Sequence, residues 1–133
     1  MYNVLIVDDE TIILSGIKYM INWEKNDCTI IGTASNGQEA LEKIRAFPPD
    51  IVLCDIKMPV LSGIQLLKIV NEEFPSVVFI MLTNFQEFDL ARDSLFYRAA
   101  DYLIKGQLDV PVLENSLQKA KEESDRRGLL SFN

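Results

Sequence analysis

Apolar runs rich in β-branched residues alternate with helix-period segments five times along the chain. The strand candidates are Asn3–Val7, Cys28–Thr33, Ile51–Cys54, Val77–Leu82 and Tyr102–Ile104. The first, third and fourth are apolar almost throughout instead of alternating, which is the pattern of strands covered on both faces. Between them, Ile13, Ile17, Met20 and Ile21 share one helical face, and Leu41 and Ile44 share another. Leu67, Val70 and Phe74 repeat the spacing, followed by Ala91 and Leu95, then Leu113, Leu117 and Ala120. Pro48-Pro49, Pro59, Ser62-Gly63 and Pro75 punctuate the gaps, Asp109 with Pro111 starts the last helix, and Gly128 is expected to stop it. Short connections between alternating strands and helices predict an α/β fold, a single (βα)5 domain whose doubly wound parallel five-stranded sheet carries helices on both sides.

Composition narrows the chemistry. A chain of 133 residues is one domain by length. The net charge of −7 argues against nucleic-acid binding by this segment, because neutralising phosphates needs an excess of basic residues. Histidine is absent, which removes Ser–His and Cys–His nucleophiles and the usual zinc ligands. Cys28 and Cys54 sit inside apolar runs with no CxxC partner, as small core residues do. No apolar run approaches the roughly 20 residues of a membrane span. The N-terminus MYNVLIVDDE lacks the basic flank of a secretory signal, so the expected location is cytoplasmic.

Ligands of open α/β sheets bind at the carboxyl ends of the strands. Here those ends deliver Asp8-Asp9 after strand 1, Asp55 after strand 3, Thr83 after strand 4 and Lys105 after strand 5. Each has an ordinary structural use: Asp9 or Thr83 as a helix cap, Asp55 in a turn, Lys105 in solvent. Caps do not explain two adjacent acids facing a third. Two like charges ~4 Å apart repel by ~4 kcal/mol at an effective dielectric of ~20. Three carboxylates with one lysine therefore force a proton or a cation into the group. An all-oxygen ligand set without His or Cys points to a hard ion, Mg²⁺ before Ca²⁺. A carboxylate can also attack phosphorus to give an acyl phosphate, and Asp55, alone at its strand tip, is the best acceptor. Asp8 and Asp9 then hold the metal.

VLIVDDE, IVLCDIKMPVLSG, FIMLT and ADYLIK, in that order and spacing, resemble the receiver domain of two-component response regulators. The resemblance covers Asn3 to about Arg126 and implies a flavodoxin-like fold with strand order 2-1-3-4-5. It implies that Asp55 takes a phosphoryl group from a phosphohistidine on a sensor histidine kinase. It assigns Asp8, Asp9, Asp55 and the Lys57 backbone carbonyl to Mg²⁺, Thr83 and Lys105 to the phosphoryl oxygens, and Tyr102 to the aromatic switch that follows Thr83. The readout surface would be the helix 4, strand 5 and helix 5 face, with a phosphorylation-dependent homodimer as one further partner. Such a domain is a phosphoacceptor with self-catalysed phosphorylation and dephosphorylation and not a turnover enzyme.

INWEKNDCTIIGTASNGQEALEKI and TNFQEFDLA, with Trp23 and the Phe85–Phe88 pair, are similar to receivers fused to AraC-type DNA-binding domains. On that reading residues 1–127 are the receiver, 128–133 begin a linker, DNA is reached only through a further C-terminal domain, and the output is transcription. Two positions are distinctive. Family members usually have Lys-Pro, often cis, where this chain has Lys105-Gly106, for which a trans bond is expected. Phe85 falls where bulk is expected to slow loss of phosphate. Ile12 and Leu14 lie off the main stripe of the first helix and are candidates for kinase contact. A phosphorylation-independent interaction module is the alternative. An Asp-nucleophile phosphatase lacks its second acid in Asp55-Ile56-Lys57, and DDETIILSG is too acidic for a flavin phosphate loop.

Overall fold

The computed structural model describes residues 1–94 and 97–130, the side chains at 85, 88, 91, 94 and 130 excepted. Phe85, Phe88, Ala91 and Leu95, which figure above, thus lie outside the described side chains. Five strands, β1 (Tyr2–Val7), β2 (Cys28–Ala34), β3 (Ile51–Asp55), β4 (Val78–Thr83) and β5 (Asp101–Ile104), pair in the order β2-β1-β3-β4-β5. Every pairing is parallel. The helices are α1 (Thr11–Met20), α2 (Gly37–Ala46), α3 (Gly63–Glu73), α4 (Phe88–Ser94) and α5 (Val110–Leu130). This is the doubly wound arrangement expected, with each strand boundary within one residue of its place in the sequence pattern.

The apolar strands divide their side chains between two cores. On one face Leu5, Val7, Val52, Cys54, Phe79 and Met81 meet Ala40, Leu41 and Ile44 of α2 and Leu66, Leu67 and Val70 of α3. On the other, Val4, Ile6, Leu53, Val78, Ile80 and Leu82 meet Ile17 of α1 and Leu113, Leu117 and Ala120 of α5. Strands β3 and β4 are buried at every position, so they hold the centre of the sheet rigidly.

Local chemistry starts the helices where the strands stop. Asn36 accepts from the Glu39 amide at 2.8 Å to cap α2, Ser62 and Gln65 form a reciprocal capping box on α3, and Asp109 accepts from the Val112 amide at 2.9 Å. One expectation fails. Gly128 does not end the last helix, which runs through it to Leu130; a glycine weakens a helix but does not forbid it, and the preceding residue, Arg127, is anchored to the body of the domain. Leu14, a candidate for kinase contact or for a lateral core contact, is half-buried and packs against the α1 and α5 core. Ile12 is 85 % exposed, as expected.

Candidate functional site

Sheet register decides which strand tips meet. Val7 pairs with Cys54, Asp55 with Leu82 and Thr83 with Ile104. Asp8, Asp55, Thr83 and Lys105 therefore emerge along one rim, one residue beyond or at the last rung of their strands. The loops lock that rim in place. Gly63 opens α3 so close to β3 that a Cβ there would stand 2.0 Å from the Asp55 carbonyl oxygen, and its amide donates to the Ile56 carbonyl at 2.7 Å. Only glycine fits that approach. In the same loop Val60 has φ 70°, a left-handed conformation unusual for a β-branched residue; the turn is closed by the Leu61 amide on the Pro59 carbonyl at 2.8 Å.

Charge is concentrated and under-compensated here. Lys105 Nζ lies 2.7 Å from Asp8 Oδ2, 2.8 Å from Glu10 Oε2 and 3.2 Å from Asp55 Oδ2. Asp8 is fully buried and Asp55 only 5 % exposed. Desolvation, then the Asp8 charge, pushes the Asp55 carboxyl up to about 7, against the pull of Lys105. Burial likewise raises Asp8, although Lys105 and the Glu10 amide favour its charged form. Burial opposes the Lys105 ammonium, yet its three acidic partners outweigh that and hold it above the ordinary lysine value.

The sequence singled out Asp8, Asp9, Asp55 and Lys105, and the structure brings these together. It also adds Glu10, which the sequence reading missed. Carboxylate oxygens of Asp8, Asp9, Glu10 and Asp55 all lie within 4.8 Å of one another. The signal was present as the third acid of the run DDE, but a glutamate one residue before a helix gives no hint of its reach. Asp9 does not cap α1; Glu10 stands at that position, and no side chain caps the helix. The cluster suits a hard dication: its donors are all oxygen, and three of its four carboxylates already share the one Lys105 ammonium.

Other expected residues sit near the rim without joining the acids. Thr83 is buried and its hydroxyl donates to the Asn84 carbonyl at 2.9 Å. The Lys57 amide faces Asp55 Oδ1 at 3.4 Å, and its ammonium pairs with Glu87 at 3.5 Å. Tyr102, on β5, is half-buried and packs on the core beneath α2 and α3. Lys105-Gly106 is not cis, like every other described peptide bond, and Lys105–Gln107 form a 3-10 turn that leaves the ammonium among the acids.

The model of the response regulator receiver domain family matches residues 4–118. The chain belongs to this family. This receiver is 46 % identical over 105 residues to the transcriptional regulatory protein YesN of Bacillus subtilis, covering 79 % of this chain and 28 % of that protein. The chain thus spans well under half the length of that curated relative. The receiver domain of AraT, a response regulator from Geobacillus stearothermophilus, superposes with TM-score 0.88 at 32 % identity, over 96 % of this chain and 98 % of that one. A two-component transcriptional regulator AraC from Clostridium phytofermentans matches with TM-score 0.79 at 26 % identity, over 92 % and 98 % of the two chains. The likeness to the receiver of an AraC regulator is therefore present in the fold. No helix among the described residues is long and apolar enough to cross a membrane.

Proposed function

We propose that this receiver accepts a phosphoryl group on Asp55 from a phosphohistidine of a sensor histidine kinase, and that the acyl phosphate switches an attached transcriptional output. An Oδ lone pair of Asp55 forms the O–P bond while the P–N bond to the donor imidazole breaks; the electron pair stays on that nitrogen, which is protonated. The single observation carrying this reading is the placement of the nearly buried Asp55 carboxylate in a cluster of acids, with the Lys105 ammonium 3.2 Å away.

Asp8, Asp9, Asp55 and the Lys57 carbonyl are the groups to hold Mg²⁺, with Glu10 adjoining. When bound, the ion supplies positive charge that favours ionised Asp55 and offsets the charge of the transferring group. Lys105 then pairs with one phosphoryl oxygen, and Thr83 turns its hydroxyl from the Asn84 carbonyl to another. Tyr102 follows Thr83 inward. The arrangement with these contacts is populated at the expense of the one without them. The change is read on the face of α4, β5 and α5, by a second copy of the chain or by a DNA-binding domain beyond it, in the cytoplasm. The domain is a phosphoacceptor that also speeds its own dephosphorylation, and the bulk of Phe85, two residues beyond Thr83 in the sequence, slows that loss.

Incubation with Mg²⁺ and acetyl phosphate, followed by intact mass measurement, tests the reading. The expected result is a gain of one phosphoryl group in the wild type and none in Asp55→Asn or with a chelator. An unchanged wild-type mass contradicts phosphoacceptance and favours an interaction module that works without phosphate.

A further inference from the structure

Glu10 occupies the N-cap position of α1, yet its side chain does nothing for that helix. Its backbone carbonyl accepts from the Ile13 and Leu14 amides, but no side-chain cap is made and the first turn contains no acid. Residues suited to capping are the short Ser, Thr, Asp and Asn, whose oxygens fold back onto the first turn. The Glu10 carboxylate instead takes a hydrogen bond from Lys105 Nζ at 2.8 Å. It is half-exposed, whereas the Lys105 side chain is 5 % exposed.

An ammonium has three N–H donors. Those of Lys105 face Asp8 at 2.7 Å, Glu10 at 2.8 Å and Asp55 at 3.2 Å. The contact to Asp55 is the longest of the three. Asp8 and Glu10, from the end of β1 and the start of α1, together hold the lysine on their side of the site. Asp8 is fully buried inside the cluster, whereas Glu10 lies at its half-exposed edge, so the Glu10 contact is the one that can be altered with least disturbance of the other acids.

We infer that Glu10 is a positioning residue: it is the resting counter-ion of Lys105, and it competes with the phosphoryl group on Asp55 for that ammonium. This rests on the phosphoacceptor reading above and deepens it. Phosphoryl transfer to Asp55 requires Lys105 to leave Glu10 for a phosphoryl oxygen. A chain without the Glu10 contact therefore reaches the acyl phosphate faster and keeps it longer.

Two variants separate the contact from bare charge at the mouth of the site. Glu10→Gln removes charge and ion pair together; Glu10→Asp keeps the charge but draws the carboxylate back by one methylene. The first measurement is the metal-free reactivity of each lysine toward acetic anhydride, read by peptide mass and normalised to exposed Lys25. Lys105 is expected to label about threefold faster in both variants, the factor of a partly exposed ion pair. The second is phosphorylation by acetyl phosphate with Mg²⁺ over a range of donor concentrations, followed by decay of the acyl phosphate. Both variants are expected to raise the saturating rate and lengthen the lifetime by a similar factor. Glu10→Asp behaving as wild type in both measurements, with only Glu10→Gln changed and only in donor affinity, overturns the inference in favour of simple repulsion. Unchanged labelling in both variants overturns it as well. A wild type that takes no phosphate defeats the phosphoacceptor reading, while the metal-free labelling still decides whether Glu10 holds Lys105.

Discussion

The two ends of the sheet bury charge in opposite ways. At the amino end of β4, Arg127 of α5 is 5 % exposed, and all three nitrogens of its guanidinium donate hydrogen bonds. It donates to the Val77 and Arg98 carbonyls at 2.8 Å each and to Glu123 at 2.8 Å. At the carboxyl end, Asp8, Asp9, Glu10 and Asp55 cluster around one ammonium, Lys105, which lies within ion-pair distance of Asp8, Glu10 and Asp55. A buried charge is tolerated when it is paired and hydrogen-bonded. Arg127 meets that rule and serves the fold, fastening the last helix to the loops before β4 and β5. The rim holds more acid than Lys105 alone neutralises, and on the function proposed above that excess is where a cation and a phosphoryl group bind.

Cutting the clamp gives the largest stability effect. Arg127→Met keeps length and apolar surface but leaves the Val77 and Arg98 carbonyls without this donor, while Glu123 retains Arg126. The expected cost is about 3 kcal/mol, read as a lower urea midpoint. Removing charge from the rim acts with the opposite sign. Asp55→Asn relieves the repulsion with Asp8 and is expected to raise metal-free stability at neutral pH by about 1 kcal/mol.

Acid sharpens the contrast. The folded-state value of Asp55 is raised to about 7, so its contribution is fully present below the ordinary carboxylate range and is lost as pH rises through neutrality. Glu123 is held down to about 2 by Arg126, against some burial, and by Arg127, so its contribution is present above the ordinary range and disappears only in strong acid. Metal-free unfolding measured across pH is therefore expected to show falling stability from mildly acidic to neutral pH. That fall is smaller in Asp55→Asn.

The fold was legible because its strands are written as dense apolar runs, and burial on both faces leaves few other uses for such runs. The rim was legible for the same reason: a charged residue at the tip of an apolar strand has few structural excuses. Asp55 after IVLC is the plainest example, and Lys105 after YLI the next. What the sequence hid depends on long side chains crossing between elements distant along the chain. Glu10 meets Lys105 across the domain, and Arg127 meets Val77 and Arg98, contacts that no local pattern encodes. Gly128 misled because local propensity favours a stop, while the anchoring of Arg127 carries the helix past it.

The central claim is that the rim is short of positive charge and a hard dication fills the shortage. Thermal unfolding in magnesium chloride, against sodium chloride of equal ionic strength, tests it most directly. The wild type is expected to melt at a higher temperature in magnesium, with the gain largely lost in Asp55→Asn. Identical wild-type melting curves in the two salts would contradict the account.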